Sequence, residues 1–210
     1  MSIDQENINS STLVIACGAI AHELVSVLKA NQWRHMDVQC LPAKWHNTPD
    51  LIAPGVEEKI IKYKHQIDRI LVAYGDCGTG GHLDAVIERH RDDVSIERLP
   101  GNHCYDFYAG LKRFEALSDD ELGTFYLTDY LAANFERLIL DNFGIRKHLE
   151  LREMIFANYT RVLYLAQRDD PALMQKANAA AAALDLPLEI EFTGLKPFNQ
   201  YMKYINIKAA

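Results

Sequence analysis

Six short runs of aliphatic and β-branched residues recur along the chain, separated by polar stretches or by residues with helical spacing. Such near-continuous apolar runs are typical of strands buried on both faces of a parallel sheet. The pattern therefore predicts six strands, over residues 12–17, 36–41, 69–74, 94–99, 161–166 and 187–192.

Most intervals between these runs have the 3–4 residue spacing of amphipathic helices. We expect helices over residues 19–30, 54–67, 83–90, 129–143, 171–184 and 196–204. Pro54 suits a helix start, Asp170 a helix cap, and either Thr128 or Asp129 another cap. Strands that alternate with helices predict an α/β fold, with a doubly wound, mainly parallel, Rossmann-like sheet and helices on both faces. Residues 105–155 interrupt the alternation, which favours a helical insertion.

Composition and charge limit the class of protein. The chain has 210 residues, 49% of them hydrophobic and 24% charged, which suits one globular domain. We expect that domain to span residues 12–210, after a disordered tail over residues 1–11. The net charge of −7, without a Lys/Arg cluster, argues against nucleic acid as a partner.

The chain has no apolar run of about 20 residues, so we expect no membrane-spanning helix. The polar, acidic beginning "MSIDQENINSST" does not resemble a signal peptide, which favours a cytoplasmic protein. In the reducing cytoplasm, the four cysteines are expected to be ligands, nucleophiles or small buried residues rather than disulfide partners.

Three cysteines follow the ends of predicted strands. Cys17 ends the first strand, Cys77 follows the third, and Cys104 follows the fourth. Because parallel strands end at one edge of a sheet, we expect these thiols to face a single crevice. Cys40 also lies near a strand end, but its alternation with Val38 favours a small buried residue.

Glycines accompany the cysteines, in "CGA" and in "AYGDCGTGG". They allow the main chain to approach a bound group closely, so we predict that Gly18, Gly75, Gly78 and Gly80 contact a cofactor. "GDCGTGG" lacks the G-x-G-x-x-G spacing of a dinucleotide site and the lysine of a phosphate loop.

Three thiolates suit a soft metal. A [4Fe–4S] cluster held by Cys17, Cys77 and Cys104 would leave one iron open to substrate, whereas zinc would need a fourth ligand. A histidine such as His46, His82 or His103, or a water, would supply that ligand. His103 and His46 are also candidate acid–base groups, since both follow strands at the same predicted edge.

The motifs "LVIACGAIAHEL", "WHNTPDLI", "LVAYGDCGTGG", "PGNHCYDFYAG" and "GTFYLTDYLA" occur in an order that resembles the family catalogued as domain of unknown function 1638, over residues 12–200. The resemblance implies functional roles for the three cysteines and for His46 and His103. Members often have an aspartate between the last histidine and cysteine, whereas His103 and Cys104 are adjacent. Genes of the family often lie near corrinoid-dependent methyltransferases, which implies one-carbon metabolism.

These patterns favour a metal-dependent lyase, desulfurase or methyl-transfer enzyme with a small polar substrate. A noncatalytic metal or corrinoid accessory protein for a methyltransferase system is one alternative. A metal-free enzyme with Cys77 or Cys104 as nucleophile is another. The prevalence of symmetric dimers among oligomers makes a homodimer the prior for oligomeric state.

Overall fold

A computed structural model describes residues 12–208 of the chain. The chain divides into two compact units, the first ending at Cys104 and the second beginning at Tyr105. Each unit contains a parallel sheet. The expected tail over residues 1–11 lies outside the described residues, and the single domain expected over residues 12–210 stays a prediction.

Within the described residues of the first unit, four parallel strands form a sheet in the order β2-β1-β3-β4. They are β1 (Thr12–Cys17), β2 (Met36–Leu41), β3 (Arg69–Ala73) and β4 (Ser95–Arg98). Every residue of β1 is buried, because a strand pairs with it on each side. The chain leaves β1 toward β2 and then returns past it to β3, so the strand order reverses between β1 and β3.

The helices of the first unit connect these strands. They are α1 (Ala21–Ala30), α2 (Ile52–Tyr63) and α3 (His82–His90), with 3₁₀ helices at Gly18–Ile20, Ala43–Asn47 and Pro49–Leu51. Right-handed crossovers with this strand order put α1 on one face of the sheet, and α2 and α3 on the other. Consistent with this, α2 and α3 pack against each other. Pro54 lies third in α2, still within the first turn, where its missing N–H has no helical partner to lose.

The sheet of the second unit has the order β5-β6-β7. Its parallel strands are β5 (Thr124–Thr128), β6 (Arg161–Ala166) and β7 (Leu188–Phe192). The remaining helices are α4 (Cys104–Ala109), α5 (Leu111–Asp120), α6 (Asp129–Phe135), α7 (Glu150–Phe156), α8 (Pro171–Leu184) and α9 (Lys196–Lys208). A π-helical segment, Glu136–Asp141, continues α6.

The α/β class and the parallel pairing of the strands are confirmed. The strands form two sheets rather than one, and the helical insertion expected over residues 105–155 is wrong because β5 lies inside it. Both cap predictions are confirmed: the Thr128 hydroxyl accepts from the N–H of Leu131 at 3.3 Å, and the Asp170 carboxylate accepts from that of Ala172 at 2.9 Å. Across residues 12–208, no helix is both long and apolar enough to cross a membrane.

Candidate thiol site

Cys17 is the last residue of β1, at the carboxyl edge of the first sheet. Only 8% of its surface is exposed, and the N–H of Ala19 donates to its sulfur at 3.4 Å. Gly18 follows it in a narrow space, since a Cβ at that position would lie 3.0 Å from the carbonyl oxygen of Leu41. The end of β2 thus holds the turn after Cys17 and fixes the position of this thiol.

The segment after β3 carries Cys77 and packs on the loop that leads to Cys104. A Cβ on Gly75 would lie only 2.7 Å from backbone atoms of Asn102 and His103, so no side chain fits there. The N–H of Cys77 donates to the Asn102 carbonyl at 2.7 Å. Cys77 has a φ of +51°, a left-handed conformation that is uncommon for a residue with a Cβ. The two segments therefore hold each other, and the backbone of Cys77, in one arrangement.

Asp76 organises the glycine-rich turn from inside. Its carboxylate accepts from the Thr79 hydroxyl at 2.7 Å and from the N–H groups of Gly80 and Gly81 at 3.1 and 2.9 Å, while its own N–H donates to Gly101 at 3.2 Å. Burial opposes ionisation, but these hydrogen bonds outweigh it and lower the pKa of Asp76. The N–H of Gly80, a predicted cofactor contact, therefore has an acceptor within the protein.

Tyr74, immediately after β3, brings a phenol to the thiols. It is 2% exposed, and its hydroxyl interacts electrostatically with Cys17, Cys77 and Cys40. Burial, and then the Cys17 and Cys77 thiols, raise the pKa of Tyr74, so the phenol stays protonated. The hydroxyl therefore remains a potential donor among the thiols.

Cys17 also influences the ionisation of Cys77. Burial raises the pKa of Cys17, and burial followed by the charge of Cys17 raises the pKa of Cys77 to about 12. Both groups are therefore thiols near neutral pH. The effect of Cys17 on Cys77 puts the two thiols within electrostatic range at the β1/β3 edge, where the strand order reverses and ligands of open α/β sheets bind.

His103 ends the loop that packs against Gly75, and Cys104 is the next residue. Both are half-buried, and Cys104 is the first residue of α4. The 101–103 loop thus ties their backbone to the segment that carries Cys77. Their roles as metal ligand and acid–base group stay predictions.

His46 lies on the 3₁₀ helix Ala43–Asn47, after β2. The ring of Trp45 packs over Gly55 of α2, at a point where a Cβ would clash with it, and so fixes this short helix. His46 is exposed, yet partial shielding from water and the nearby His103 lower its pKa. The structure therefore brings the two predicted acid–base histidines within electrostatic range of each other.

Cys40 differs from the other cysteines. It is exposed on β2, an edge strand, so the expected burial is wrong. The register pairs Cys40 with Ala16 and Leu41 with Cys17, and paired residues of a parallel sheet share a face. Because neighbouring residues of a strand point to opposite faces, the register assigns Cys40 and Cys17 to opposite faces of the sheet. Burial and then the charge of Cys17 nevertheless raise the pKa of Cys40, so the two thiols lie within electrostatic range of each other.

The thiols do not form a finished metal site. Among residues 12–208, no group of three or more His, Cys, Asp or Glu side chains is arranged to hold a metal ion. No disulfide joins the described cysteines. The donors nevertheless have suitable chemistry: two buried thiols lie within electrostatic range of each other, and a third thiol follows a loop packed against the segment that carries one of them. Rotation of cysteine side chains would be needed to complete a ligand set.

The carboxyl edge of the second sheet carries a polar cluster that the sequence did not indicate. Asp129 is fully buried and accepts from the Tyr164 hydroxyl at 2.7 Å, the N–H of Gln167 at 3.1 Å and Nε of Arg168 at 3.0 Å. The N–H of Asp129 donates to the Gln167 side chain at 2.9 Å. This network joins the ends of β5 and β6. An aspartate directly after a strand, with "QR" after the next strand, was the available signal.

A family model matches most of the chain. The model of a family described as "Protein of unknown function (DUF1638)" matches residues 40–202. That range includes Cys77, Cys104, His46 and His103, whereas Cys17 lies before it. No curated protein matches the chain.

Proposed function

The chain belongs to the DUF1638 family of proteins of unknown function, and we propose that the carboxyl edge of its first sheet binds a metal centre through cysteine thiolates. The observation that carries this proposal is the pairing of two buried thiols, Cys17 and Cys77, at the β1/β3 edge. Cys104 is the third ligand in this proposal.

The environment of the two buried thiols favours a bound cation. Each is shielded from water, and the charge of Cys17 disfavours ionisation of Cys77. A metal ion between the sulfur atoms would reverse this repulsion, because both thiolates would then face a positive charge. Soft thiolate ligands select iron–sulfur clusters, zinc or copper(I) over hard cations.

Of these groups, we favour a [4Fe–4S] cluster, with zinc as the alternative. Three cysteines leave one iron of such a cluster available as a Lewis acid for a small polar substrate. His46 and His103 are proposed to hold or move protons, and the lowered pKa of His46 keeps its imidazole neutral, as a base requires. Under the zinc alternative, one of these histidines or a water completes the ligand set.

The backbone near the thiols would position the bound group. Gly18 and Gly75 both lie where the main chain is too close to its neighbours for a side chain. Gly78 has a φ of +81°, and a Cβ at that position would lie 3.3 Å from the ring of Pro49. We propose that these glycines shape the wall around the centre, while Asp76 keeps the Gly80 turn rigid.

The raised pKa values disfavour the metal-free alternative. A cysteine nucleophile must be a thiolate, and catalytic thiols have a lowered pKa. Cys77, one of the two candidate nucleophiles, has the opposite shift because of burial and Cys17. An enzyme with a metal-bound thiolate, of the lyase or transferase class, agrees better with this environment.

We also propose a cellular compartment and a binding partner for this activity. Cysteines without disulfides suit a reducing cytoplasm. The partner is a small molecule, and the association with a corrinoid or methyltransferase system implied by the family is tested as a second role. An enzyme would retain its metal during turnover, whereas an accessory protein would lose it to a partner protein.

The deciding experiment is anaerobic purification followed by metal analysis and an absorption spectrum. We expect stoichiometric metal, with the broad visible absorption of a cluster if the metal is iron. Cys17→Ser, Cys77→Ser and Cys104→Ser should each lose most of the metal. Cys40→Ser is the matched control and should retain it, because Cys40 is exposed and is not one of the three proposed ligands, although it lies within electrostatic range of Cys17.

The control variant also exposes an error in ligand choice. Equal loss of metal in Cys40→Ser would show that the ligand set is wrong. Protein that binds neither iron nor zinc after anaerobic reconstitution would refute the metal function altogether.

A further inference from the structure

Tyr74 is a buried donor that the proposed ligand set does not use. It follows β3 directly, and its ring is as well buried as the residues of the strand itself. Within the described part of the chain, its hydroxyl makes no hydrogen bond of ordinary geometry. Buried polar groups nearly always have a partner, and this hydroxyl is free to donate to a group beside it.

The groups that face the hydroxyl identify its acceptor. Its electrostatic neighbours are the thiols of Cys17, Cys77 and Cys40, and Cys17 has the largest effect of the three on the pKa of Tyr74. A thiol is a weak acceptor, whereas a thiolate is a strong one. An O–H that is poorly satisfied by a thiol therefore becomes well satisfied when a metal ion replaces the thiol proton.

We propose that Tyr74 donates a hydrogen bond to the Cys17 thiolate and thereby positions and tunes this ligand. The proposal rests on the metal-binding function above. Tyr74 is a positioning residue here, because it touches the ligand and not the metal. Cys17 already accepts the N–H of Ala19, so its sulfur would hold two donors that fix its orientation.

Two donors withdraw electron density from a metal-bound sulfur atom. Hydrogen bonds to cysteine sulfur are among the factors that set the potential of an iron–sulfur cluster, and partners of ligands contribute to metal affinity. Loss of the Tyr74 hydroxyl should therefore change the spectrum of the centre as well as its affinity. A purely structural role of the ring would leave the spectrum unchanged.

The test is Tyr74→Phe, which keeps the ring and removes only the hydroxyl, with Co²⁺ as the metal probe. We expect the sulfur-to-cobalt charge-transfer band to move to lower energy, because the sulfur becomes more electron-rich, and Co²⁺ affinity to fall about tenfold. Tyr63→Phe is the matched control, since Tyr63 is a buried tyrosine of the same unit on α2. It should leave band and affinity unchanged. Circular dichroism verifies that both variants fold.

A second measurement on metal-free protein separates this inference from the metal function. The S–H stretching band of Cys17, assigned by its loss in Cys17→Ser, should shift in Tyr74→Phe and not in Tyr63→Phe. A wild-type protein that binds no Co²⁺ but shows this shift would refute the metal function and retain the Tyr74 contact. Unchanged charge-transfer and S–H bands in Tyr74→Phe would overturn the role of Tyr74.

Discussion

Replacing Gly75 by alanine tests whether the contact between the Cys77 segment and the 101–103 loop builds the site. The added Cβ would lie 2.7 Å from the carbonyl carbon of Asn102 and from the nitrogen of His103, and 2.8 Å from the Asn102 oxygen. Ordinary contacts of this kind need about 3.5 Å, and backbone atoms cannot rotate aside, so the segments must separate by roughly 1 Å.

Separation strains both hydrogen bonds that join the segments. The N–H of Cys77 would draw away from the Asn102 carbonyl, and that of Asp76 from Gly101. Each bond contributes about 1 kcal/mol and overpacking costs about 1–3 kcal/mol, so we expect the free energy of unfolding to fall by about 3 kcal/mol. Displacement of Cys77 relative to Cys104 should also reduce metal affinity at least tenfold, or about 1.4 kcal/mol.

Urea unfolding and metal titration of the folded variant measure these two effects separately. Gly123→Ala is the matched control in the second unit, because its Cβ would lie 2.7 Å from Thr160 Oγ1 and 2.9 Å from the Asn158 oxygen. It should lower stability without changing metal affinity. If Gly75→Ala binds metal as tightly as the wild type does, the 101–103 contact does not build the site.

Two further predictions concern the second sheet and the thiols. Tyr164→Phe removes the 2.7 Å hydrogen bond to the buried Asp129 carboxylate and should lower the free energy of unfolding by about 1.5–3 kcal/mol in urea titrations; no change would mean that the network is not stabilising. An unfolded cysteine has a pKa of about 8.5, whereas burial and Cys17 raise the pKa of Cys77 in the folded protein to about 12. Between these pH values the unfolded chain has released this proton and the folded protein has not, so the metal-free protein should lose stability as pH rises. The slope of the unfolding free energy against pH between these values corresponds to about one released proton, and Cys77→Ser should remove that contribution. An unchanged slope in the variant would contradict the raised pKa.

The strands that lie between helices were the easiest part of the fold to predict. β1 and β6 are buried along almost their whole length, so their sequences are continuous apolar runs, and their predicted bounds are confirmed. β5, "TFYLT", escapes the sequence pattern because helical patterns flank it closely and only one of its residues, Leu127, is both apolar and buried. The β-branched and aromatic residues after the Gly123 turn were the signal for it.

The division of the strands into two sheets could not be predicted from the hydrophobic pattern. An apolar run shows that a strand is covered on both faces, but it does not identify the strands beside it. β4 and β5 are therefore indistinguishable in sequence from neighbours in one sheet, although they lie in different sheets.

The site was predicted only as far as strand ends determine it. The carboxyl-edge position of Cys17 and Cys77 follows from parallel pairing alone. The sequence pattern predicts Tyr74 as the last residue of a strand, since period-2 alternation cannot show that a final residue turns toward thiols. Asp76 was missed as the organiser of the turn, because its role depends on the left-handed backbone of Gly80 and Gly81, which only the folded turn shows.

The most direct test of the proposed metal centre is the X-ray absorption spectrum of the metal-loaded protein, compared with that of Cys77→Ser. We predict a first shell with sulfur from three cysteines, at about 2.3 Å for a metal such as zinc, and one cysteine sulfur fewer around the fraction of metal that the variant retains. A first shell made only of nitrogen and oxygen, or one that is identical in Cys77→Ser, would contradict the thiolate site.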